Sequence, residues 1–347
     1  MTTGPDRDDL ARVIGSVLDR GPRPRPALVV GVCAGQASVV RGAGAVADGG
    51  GEPLGRTLFQ IGSVTKTFTA LALAVAVQRG ELDLDTPVSQ IVPGLPAASS
   101  GAEVTLGQLA THTSGLPRLP PGLRRSALQN RSDPYRAFGP DQLATALLAT
   151  RLRREPGARY RYSNYGAGLL GKVLARAAGL PFDEVIAQRI TGPLQLADTV
   201  TEPRPEQETR RAAGHSWRGR RVPDWHLGAL AGAGALWSTA EDQLAFVRAH
   251  LHPGGSALAE ALQLVQEPRF TAGRRLRVGL GWHLSPLGPT GRTALWHNGG
   301  TGGFRSFVAF LPESGVGVVV LANSVRSVDG LGVRLLRRVG ELTARAP

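Results

Sequence analysis

The chain has 347 residues, of which 42% are hydrophobic and 19% are charged, as expected of a globular protein with a substantial core. Its formal net charge is +13, but the arginines are scattered and no aromatic residues alternate with them, which argues against nucleic-acid binding. No apolar segment approaches the roughly 20 residues that span a bilayer, and the acidic N-terminus does not resemble a secretory signal. The sequence therefore predicts a cytoplasmic protein. Its single cysteine, Cys33, excludes an internal disulfide and a cysteine-cluster metal site.

The predicted elements start with an amphipathic helix over residues 1–20, which a proline-rich segment at 21–26 ends. Strands are predicted at 27–32 and 37–41, joined by a tight turn, and a glycine-rich loop then leads to a helix at 64–78. Helical patterns in the middle of the chain lie at 106–111, 140–149, 165–178, 182–190 and 239–250. Strands are predicted again at 278–284, 292–296, 303–311 and 317–322, before a closing helix at 328–343.

This order of elements predicts an α+β fold with a discontinuous domain. Residues 1–76 and 232–347 are expected to form an antiparallel sheet flanked by helices, because the predicted strands lie at both ends of the chain. Residues 77–231 are expected to form a mostly helical domain inserted between them. A cleft between two such domains is the natural place for a ligand.

The first candidate for catalysis is Ser63, which precedes Lys66 by three residues at the predicted start of a helix. This spacing places both side chains on one face, where a desolvated, neutral lysine can act as the base that a serine nucleophile needs. Taken alone, the pair is also compatible with a helix-capping serine and an incidental lysine. The chain has only two lysines, Lys66 and Lys172, and uses arginine elsewhere. Because arginine does not lose its proton in proteins, a lysine at this position favours the catalytic interpretation.

The second candidate is Tyr162, in the segment Tyr162-Ser163-Asn164. A lysine cation beside a tyrosine favours the phenolate and lowers the tyrosine pKa. Tyr162 is therefore expected to share the acid and base chemistry with Lys66. The amide of Asn164 is expected to point to the same place and to contact the substrate or the lysine.

The third candidate is the segment His297-Asn298-Gly299-Gly300, which follows a predicted strand. Its glycines would let a substrate lie along a strand edge, which makes His297, Asn298 and Gly299 candidates for substrate binding. The amide of Gly300 is then free to bind a developing oxyanion together with the amide of Ser63.

These three motifs, Ser-x-x-Lys, Tyr-Ser-Asn and His-x-Gly, occur in the order and at the separations of the class C β-lactamase-like serine hydrolases. The chain resembles that family over about residues 27–324, including the segments at 109–116, 232–242, 279–282 and 297–304. The resemblance implies the β-lactamase/DD-peptidase fold, which penicillin-binding proteins, family VIII-type carboxylesterases and some transacylases share. It also implies a Ser63 nucleophile, Lys66 and Tyr162 as the base pair, and Asn164 as a substrate contact.

Two departures from the family pattern shape the expected activity. His297 stands at the position of the lysine in the family's Lys-Thr-Gly motif, and Asn298 follows it in place of a hydroxyl residue. In β-lactamases that lysine helps to bind the carboxylate of the antibiotic, whereas a histidine is largely neutral near pH 7. Together with the lack of an export signal, these departures favour an ester or amide over a β-lactam.

We therefore expect a carboxylesterase-like serine hydrolase that works through an acyl-enzyme on Ser63, with no cofactor and no metal ion. The expected substrate is a small-molecule ester or amide, and neither nucleic acid nor a membrane is an expected partner. One alternative is a transacylase, because the basic surface would suit an acidic acyl-carrier partner. Another is a non-catalytic binding protein on the same fold, against which the intact Ser63, Lys66 and Tyr162 argue.

Overall fold

A computed structural model describes residues 5–18, 27–47, 51–288 and 291–345. Its strands are β1 (Leu28–Ala34), β2 (Ala37–Ala43), β3 (Phe59–Gln60), β4 (Trp237–Ser238), β5 (Phe270–Gly273), β6 (Leu276–Val278), β7 (His283–Pro286), β8 (Thr293–Gly300), β9 (Arg305–Leu311) and β10 (Val316–Ala322). Eight of them form one antiparallel sheet in the order β2-β1-β10-β9-β8-β7-β6-β5, and β3 pairs with β4. Strand β1, from the N-terminal part of the chain, therefore pairs directly with β10, from the C-terminal part.

The helices are α1 (Arg7–Leu18), α2 (Thr65–Gln78), α3 (Val88–Ile91), α4 (Leu106–Ala110), α5 (Leu123–Ala127), α6 (Pro140–Ala149), α7 (Asn164–Ala178), α8 (Phe182–Ile186), α9 (Ala240–Leu251), α10 (Ala259–Leu264) and α11 (Asp329–Arg345). A π-helical turn, Ala187–Thr191, continues α8. None of the described helices is long and apolar enough to cross a membrane.

Helices cover both faces of the sheet. Every residue of β1 and of β10 is buried, so their side chains, which alternate between the faces, need apolar partners on each side. On one face, Val30 packs in a cluster with Ile14 of α1 and Leu335 of α11. On the other face, Val29 and Cys33 belong to the core that includes α2 and α9. This arrangement confirms the predicted α+β fold, an antiparallel sheet flanked by helices.

Helix α2 is buried around its whole circumference, because every residue from Thr65 to Ala76 is buried. Polar side chains on such a helix must find partners in the protein, since water does not reach them. Oγ1 of Thr69 donates to the carbonyl of Gly232 at 2.8 Å, and Oγ1 of Thr65 accepts from the amide of Leu236 at 3.1 Å. These bonds hold the segment 232–236 against the first turns of α2.

Most of the predicted elements are present, with shifted ends, but two predicted strands differ. The single strand predicted at 278–284 is wrong: β6 ends at Val278 and β7 begins at His283. Between them, Gly281 has a φ of +73°, and a Cβ there would lie 2.8 Å from the carbonyl oxygen of Lys66. The strand predicted at 292–296 continues to Gly300, so His297 lies within β8.

Between α2 and Gly232, the described residues form helices and loops, with isolated bridges but no strand. The division into a discontinuous domain of residues 1–76 and 232–347 and a helical domain of residues 77–231 stays a prediction. The proline-rich break at 21–26 lies outside the described residues.

Candidate active site

Ser63 lies in a 3-10 turn, Gly62–Val64, that leads directly into α2. One helical turn later, Nζ of Lys66 lies 2.9 Å from Oγ of Ser63. The same Nζ donates a hydrogen bond of 2.6 Å to the carbonyl of Ala233, in the segment that α2 holds in place. The structure therefore brings Ser63 and Lys66 into direct contact.

The surroundings of Lys66 favour its neutral form. The side chain is carried by the fully buried helix α2, and the residue is only 3% exposed. Burial, reinforced by the positive charge of Arg118, holds the pKa of Lys66 well below its ordinary value of 10.5. Both hydrogen-bond partners are uncharged groups, a hydroxyl and a carbonyl. A neutral amine in this position can accept a proton from Ser63.

Tyr162 is the third group at this point. Nζ of Lys66 lies 5.0 Å from the centre of its ring, and the side chain of Ser63 is near enough to act on the Tyr162 pKa. The expected lowering of the Tyr162 pKa is wrong, because burial raises it above the ordinary value of 10. The burial that keeps Lys66 neutral also removes the cation that would have favoured a phenolate. Tyr162 is thus a neutral phenol that can donate a proton.

Strand β8 lies against the turn that carries the serine, and two glycines permit this approach. A Cβ on Gly299 would lie 2.0 Å from the carbonyl oxygen of Ile61, and a Cβ on Gly62 would lie 2.6 Å from the amide nitrogen of Gly300. Oγ of Ser306, on β9, donates a 2.7 Å hydrogen bond to the carbonyl of Ile61 and fixes the turn against the sheet. The backbone of Gly300 is therefore next to the nucleophile's turn, as a shared oxyanion site requires.

The sequence profile of the Beta-lactamase family matches residues 16–340, which is most of the chain. The chain belongs to the beta-lactamase family. The "Beta-lactamase" of Escherichia coli (strain K12) is 32% identical to it over 304 residues, covering 77% of this chain and 76% of that protein. The "D-alanyl-D-alanine-carboxypeptidase/endopeptidase AmpH" of the same organism is 31% identical over 312 residues, covering 84% and 78%. Membership of this family confirms the resemblance and supports serine hydrolase chemistry in general.

Solved structures of beta-lactamase family members share the fold. A beta-lactamase/D-alanine carboxypeptidase from Pseudomonas syringae matches with a TM-score of 0.82 over 96% of this chain and 98% of that chain, at 24% sequence identity. A class C beta lactamase from Rhodobacter sphaeroides matches with a TM-score of 0.80 over 95% and 97%, at 26% identity. These matches confirm the predicted β-lactamase/DD-peptidase fold.

In this beta-lactamase family member, β7 and β8 bring two buried histidines next to the base. The ring of His297 lies 5.0 Å from that of His283 and 6.2 Å from that of Tyr162. Nδ1 of His297 is bonded to the carbonyl of Asn298 at 2.7 Å, while its buried Nε2 has no partner among the described residues. Burial holds the pKa of His297 well below its ordinary value and lowers that of His283 to about 4. Both imidazoles are therefore neutral near pH 7.

Three residues around Tyr162 were not predicted as functional. Oη of Tyr160 is bonded to Nε2 of His283 at 2.9 Å. Nδ1 of His112 accepts the amide of Ser163 at 3.3 Å, and the ring of His112 lies 4.5 Å from that of Tyr162. His112 lies within a segment that resembles the family and His283 lies next to another, and this is the one sequence signal that marks them. No spacing rule connects isolated histidines so far apart in the chain.

The two asparagines predicted to bind substrate are placed differently. Asn164, the first residue of α7, donates from Nδ2 to Oη of Tyr135 at 3.3 Å, and its buried Oδ1 has no described partner. Asn298 donates from Nδ2 to Asp329 at the start of α11 at 2.9 Å. Because successive residues of a strand alternate between its faces, Asn298 points away from the face that carries His297. Its side chain anchors α11 to the sheet, which corrects its predicted contact with substrate.

The described part of the chain contains no group of three or more His, Cys, Asp or Glu side chains that could hold a metal ion. Four buried polar atoms in this region have no hydrogen-bond partner among the described residues: Oδ1 of Asn164, Nδ1 of His283, Nε2 of His297 and Oγ1 of Thr301. Buried polar atoms are normally hydrogen-bonded. The unbonded atoms of Asn164, His283 and His297 thus keep hydrogen-bonding capacity next to Tyr162 and its neighbours.

Proposed function

We propose that the chain hydrolyses a small-molecule ester or amide through an acyl-enzyme formed on Ser63. The observation that carries the proposal is the 2.9 Å contact between Oγ of Ser63 and Nζ of Lys66. Burial lowers the pKa of this amine, so it can be neutral at working pH. A neutral amine in contact with the hydroxyl can take its proton, whereas an ammonium group cannot.

In the acylation step, Nζ of Lys66 takes the hydroxyl proton while Oγ of Ser63 bonds to the substrate carbonyl carbon. The carbonyl oxygen becomes negative and accepts hydrogen bonds from the amide of Ser63 and from that of Gly300 at the end of β8. The bond to the leaving group then breaks, and Tyr162 donates its phenolic proton to that group. Lys66 returns its extra proton to the tyrosine, so both groups are neutral again.

Deacylation uses the same groups in reverse. A water molecule attacks the acyl carbon, its proton passes to the Lys66–Tyr162 pair, and the proton returns to Oγ of Ser63 as the acid leaves. The raised pKa of Tyr162 supports its role as the proton donor in both steps, because a neutral phenol is the form that can donate a proton. Asn164, with an unbonded Oδ1 at the site, is suited to hold the polar part of the substrate.

The neutral imidazole of His297 supports esters or amides over β-lactams. Burial lowers its pKa, so β8 presents no cation at the position where the family's Lys-Thr-Gly lysine would stand. The carboxylate of a β-lactam would therefore lose one charged partner there, and charged hydrogen bonds are roughly twice as strong as neutral ones. A carboxylesterase-like preference follows from this difference.

A transacylase is the second candidate, and it differs only in the group that attacks the acyl-enzyme. An alcohol or amine acceptor would replace water in the second step, with the same atoms exchanging protons. The formal net charge of +13 favours this candidate, because it would attract an acidic carrier that delivers the acyl group. A non-catalytic binding protein would have no need of the contact between Ser63 and Lys66.

Covalent labelling tests the acyl-enzyme. Intact-mass spectrometry after treatment with a fluorophosphonate should show one adduct per chain, and S63A should abolish it. The matched control is S99A, which removes an exposed hydroxyl and should be labelled like the wild type. A wild-type protein that no acyl or phosphonyl probe labels would favour the binding-protein candidate.

A panel of substrates then ranks the activities. A p-nitrophenyl ester, a chromogenic cephalosporin and a D-Ala-D-Ala peptide should be compared by kcat/KM, and the ester is expected to rank first. A cephalosporin that ranks first would contradict the proposed preference. Addition of an alcohol acceptor with the ester should leave product ratios unchanged for a hydrolase, whereas a transacylase would form the new ester.

A further inference from the structure

Arg118 lies beside Tyr162, one of the reacting groups. Its guanidinium carbon lies 5.3 Å from the centre of the Tyr162 ring, and the side chain is exposed to solvent. The positive charge of Arg118 acts on the pKa values of Lys66, His112, Tyr160 and Tyr162. For Lys66 it is the one charge that adds to the effect of burial. Arg118 is therefore close enough to sense a charged substrate at Ser63.

The backbone of Arg118 is fixed to the segment that carries Tyr162. Its carbonyl accepts the amide of Asn164 at 2.9 Å, and the carbonyl of the preceding Pro117 accepts Oγ of Ser163 at 2.7 Å. An arginine on a mobile surface loop would lose much entropy on binding a ligand, whereas an anchored one loses less. This anchoring distinguishes Arg118 from an ordinary solvated arginine.

Arg118 has no acidic partner in the part of the chain that the structure describes. None of the carboxylates in the described residues forms an ion pair with it. Other arginines of the chain do form such pairs: Arg210 binds Asp198 and Arg211 binds Asp224. Its guanidinium fork is thus free for an external anion, for which its planar geometry is well suited.

We propose that Arg118 binds an anionic group of the substrate, a carboxylate or a phosphate, beside Tyr162. The inference rests on the proposed acyl-enzyme function and narrows its substrate class to anionic esters or amides. Arg118 thereby supplies a positive charge that the neutral His297 of β8 does not offer. The anion can belong to the acyl part or to the leaving group, and the experiment distinguishes the two.

The test compares esters that differ in one charge. Mono-(p-nitrophenyl) glutarate carries the anion on the acyl part, 3-carboxy-4-nitrophenyl valerate carries it on the leaving group, and p-nitrophenyl valerate is neutral. The ratio of kcat/KM between an anionic ester and the neutral one cancels any effect of Arg118 on Lys66. This ratio should fall about tenfold or more in R118Q for one of the anionic esters, mainly through KM. R118K should restore part of the ratio.

The matched control is R124Q, which removes an exposed arginine from the nearby helix α5 and should leave the ratio unchanged. If R118Q keeps the wild-type ratio for both anionic esters while turnover still depends on Ser63, the inference about Arg118 is overturned and the acyl-enzyme stands. If the wild type hydrolyses none of the esters and forms no adduct at Ser63, the proposed function itself fails.

Discussion

Replacing Lys66 by methionine should strongly reduce activity and stabilise the protein at neutral pH. Methionine has a similar length, and at 3% exposure the position favours an apolar side chain. Each unit by which burial lowers the pKa of Lys66 corresponds to about 1.4 kcal/mol of stability that the folded wild type lacks below that pKa. Against this, K66M leaves the carbonyl of Ala233 without its donor, a loss of about 1–3 kcal/mol.

The sign of the pH dependence follows from proton counting. Between the lowered pKa and 10.5, the unfolded chain binds a proton at Lys66 that the folded chain does not bind. The wild type should therefore gain about 1.4 kcal/mol per pH unit relative to K66M as the pH rises through this window. The loss of the base should reduce kcat/KM by about 10²–10⁴-fold.

Urea unfolding of both proteins at several pH values up to 10, with ester kinetics in parallel, measures these effects. K172M is the matched control, because Lys172 is exposed on α7 and its side chain is in water in both states. A stability difference between the wild type and K66M that stays constant with pH would refute the reasoning, since Lys66 would then carry the same charge folded and unfolded.

Two further predictions concern the close packing at Gly299 and the burial of His250. G299A should lower kcat/KM by about 10²-fold, because its Cβ would lie 2.0 Å from the carbonyl oxygen of Ile61 and displace the turn of the nucleophile. The control is G273A, since no atom lies within 4 Å of the Cβ that it would add. Equal activity of the two variants would contradict the prediction. Burial lowers the pKa of His250 to about 4, so the unfolded chain binds an extra proton between pH 6.5 and 4. Acidification through this window should remove about 1.4 kcal/mol of stability per pH unit on account of this residue. Urea unfolding of H250L should show a shallower loss, and an unchanged slope would mean that His250 is protonated in the folded protein.

The pairing of Ser63 with Lys66 could be predicted because it depends on local geometry. Residues three apart on a helix face the same side whatever the rest of the fold does. The use of lysine at only two positions added a second, independent signal. The strands β1, β9 and β10 could be predicted for a similar reason, since their apolar runs are bounded by turn residues.

The parts that the sequence did not predict depend on distant contacts. Residues 278–284 read as one strand, and the turn at Gly281 is imposed by its close approach to the carbonyl of Lys66. Strands β5 and β6 have only four and three residues, and a bulge shifts the register between them, so they are too short for a clear sequence pattern. The pKa of Tyr162 depends on how deeply the site is buried, which no local pattern specifies.

The placement of Ser63 between distant strands has a consequence for synthesis of the chain. Its turn is fixed by Ser306 of β9 and faced by Gly299 of β8, both encoded near the end of the chain. Helix α2 alone gives a serine beside a lysine but no wall to bind an oxyanion. A nascent or prematurely terminated chain therefore carries an inert serine, because such sequence-distant contacts form late in folding. The proposed acylation of Ser63 would become possible only after β8 and β9 have joined the sheet, so completion of the fold would prevent premature reaction in a partly made protein.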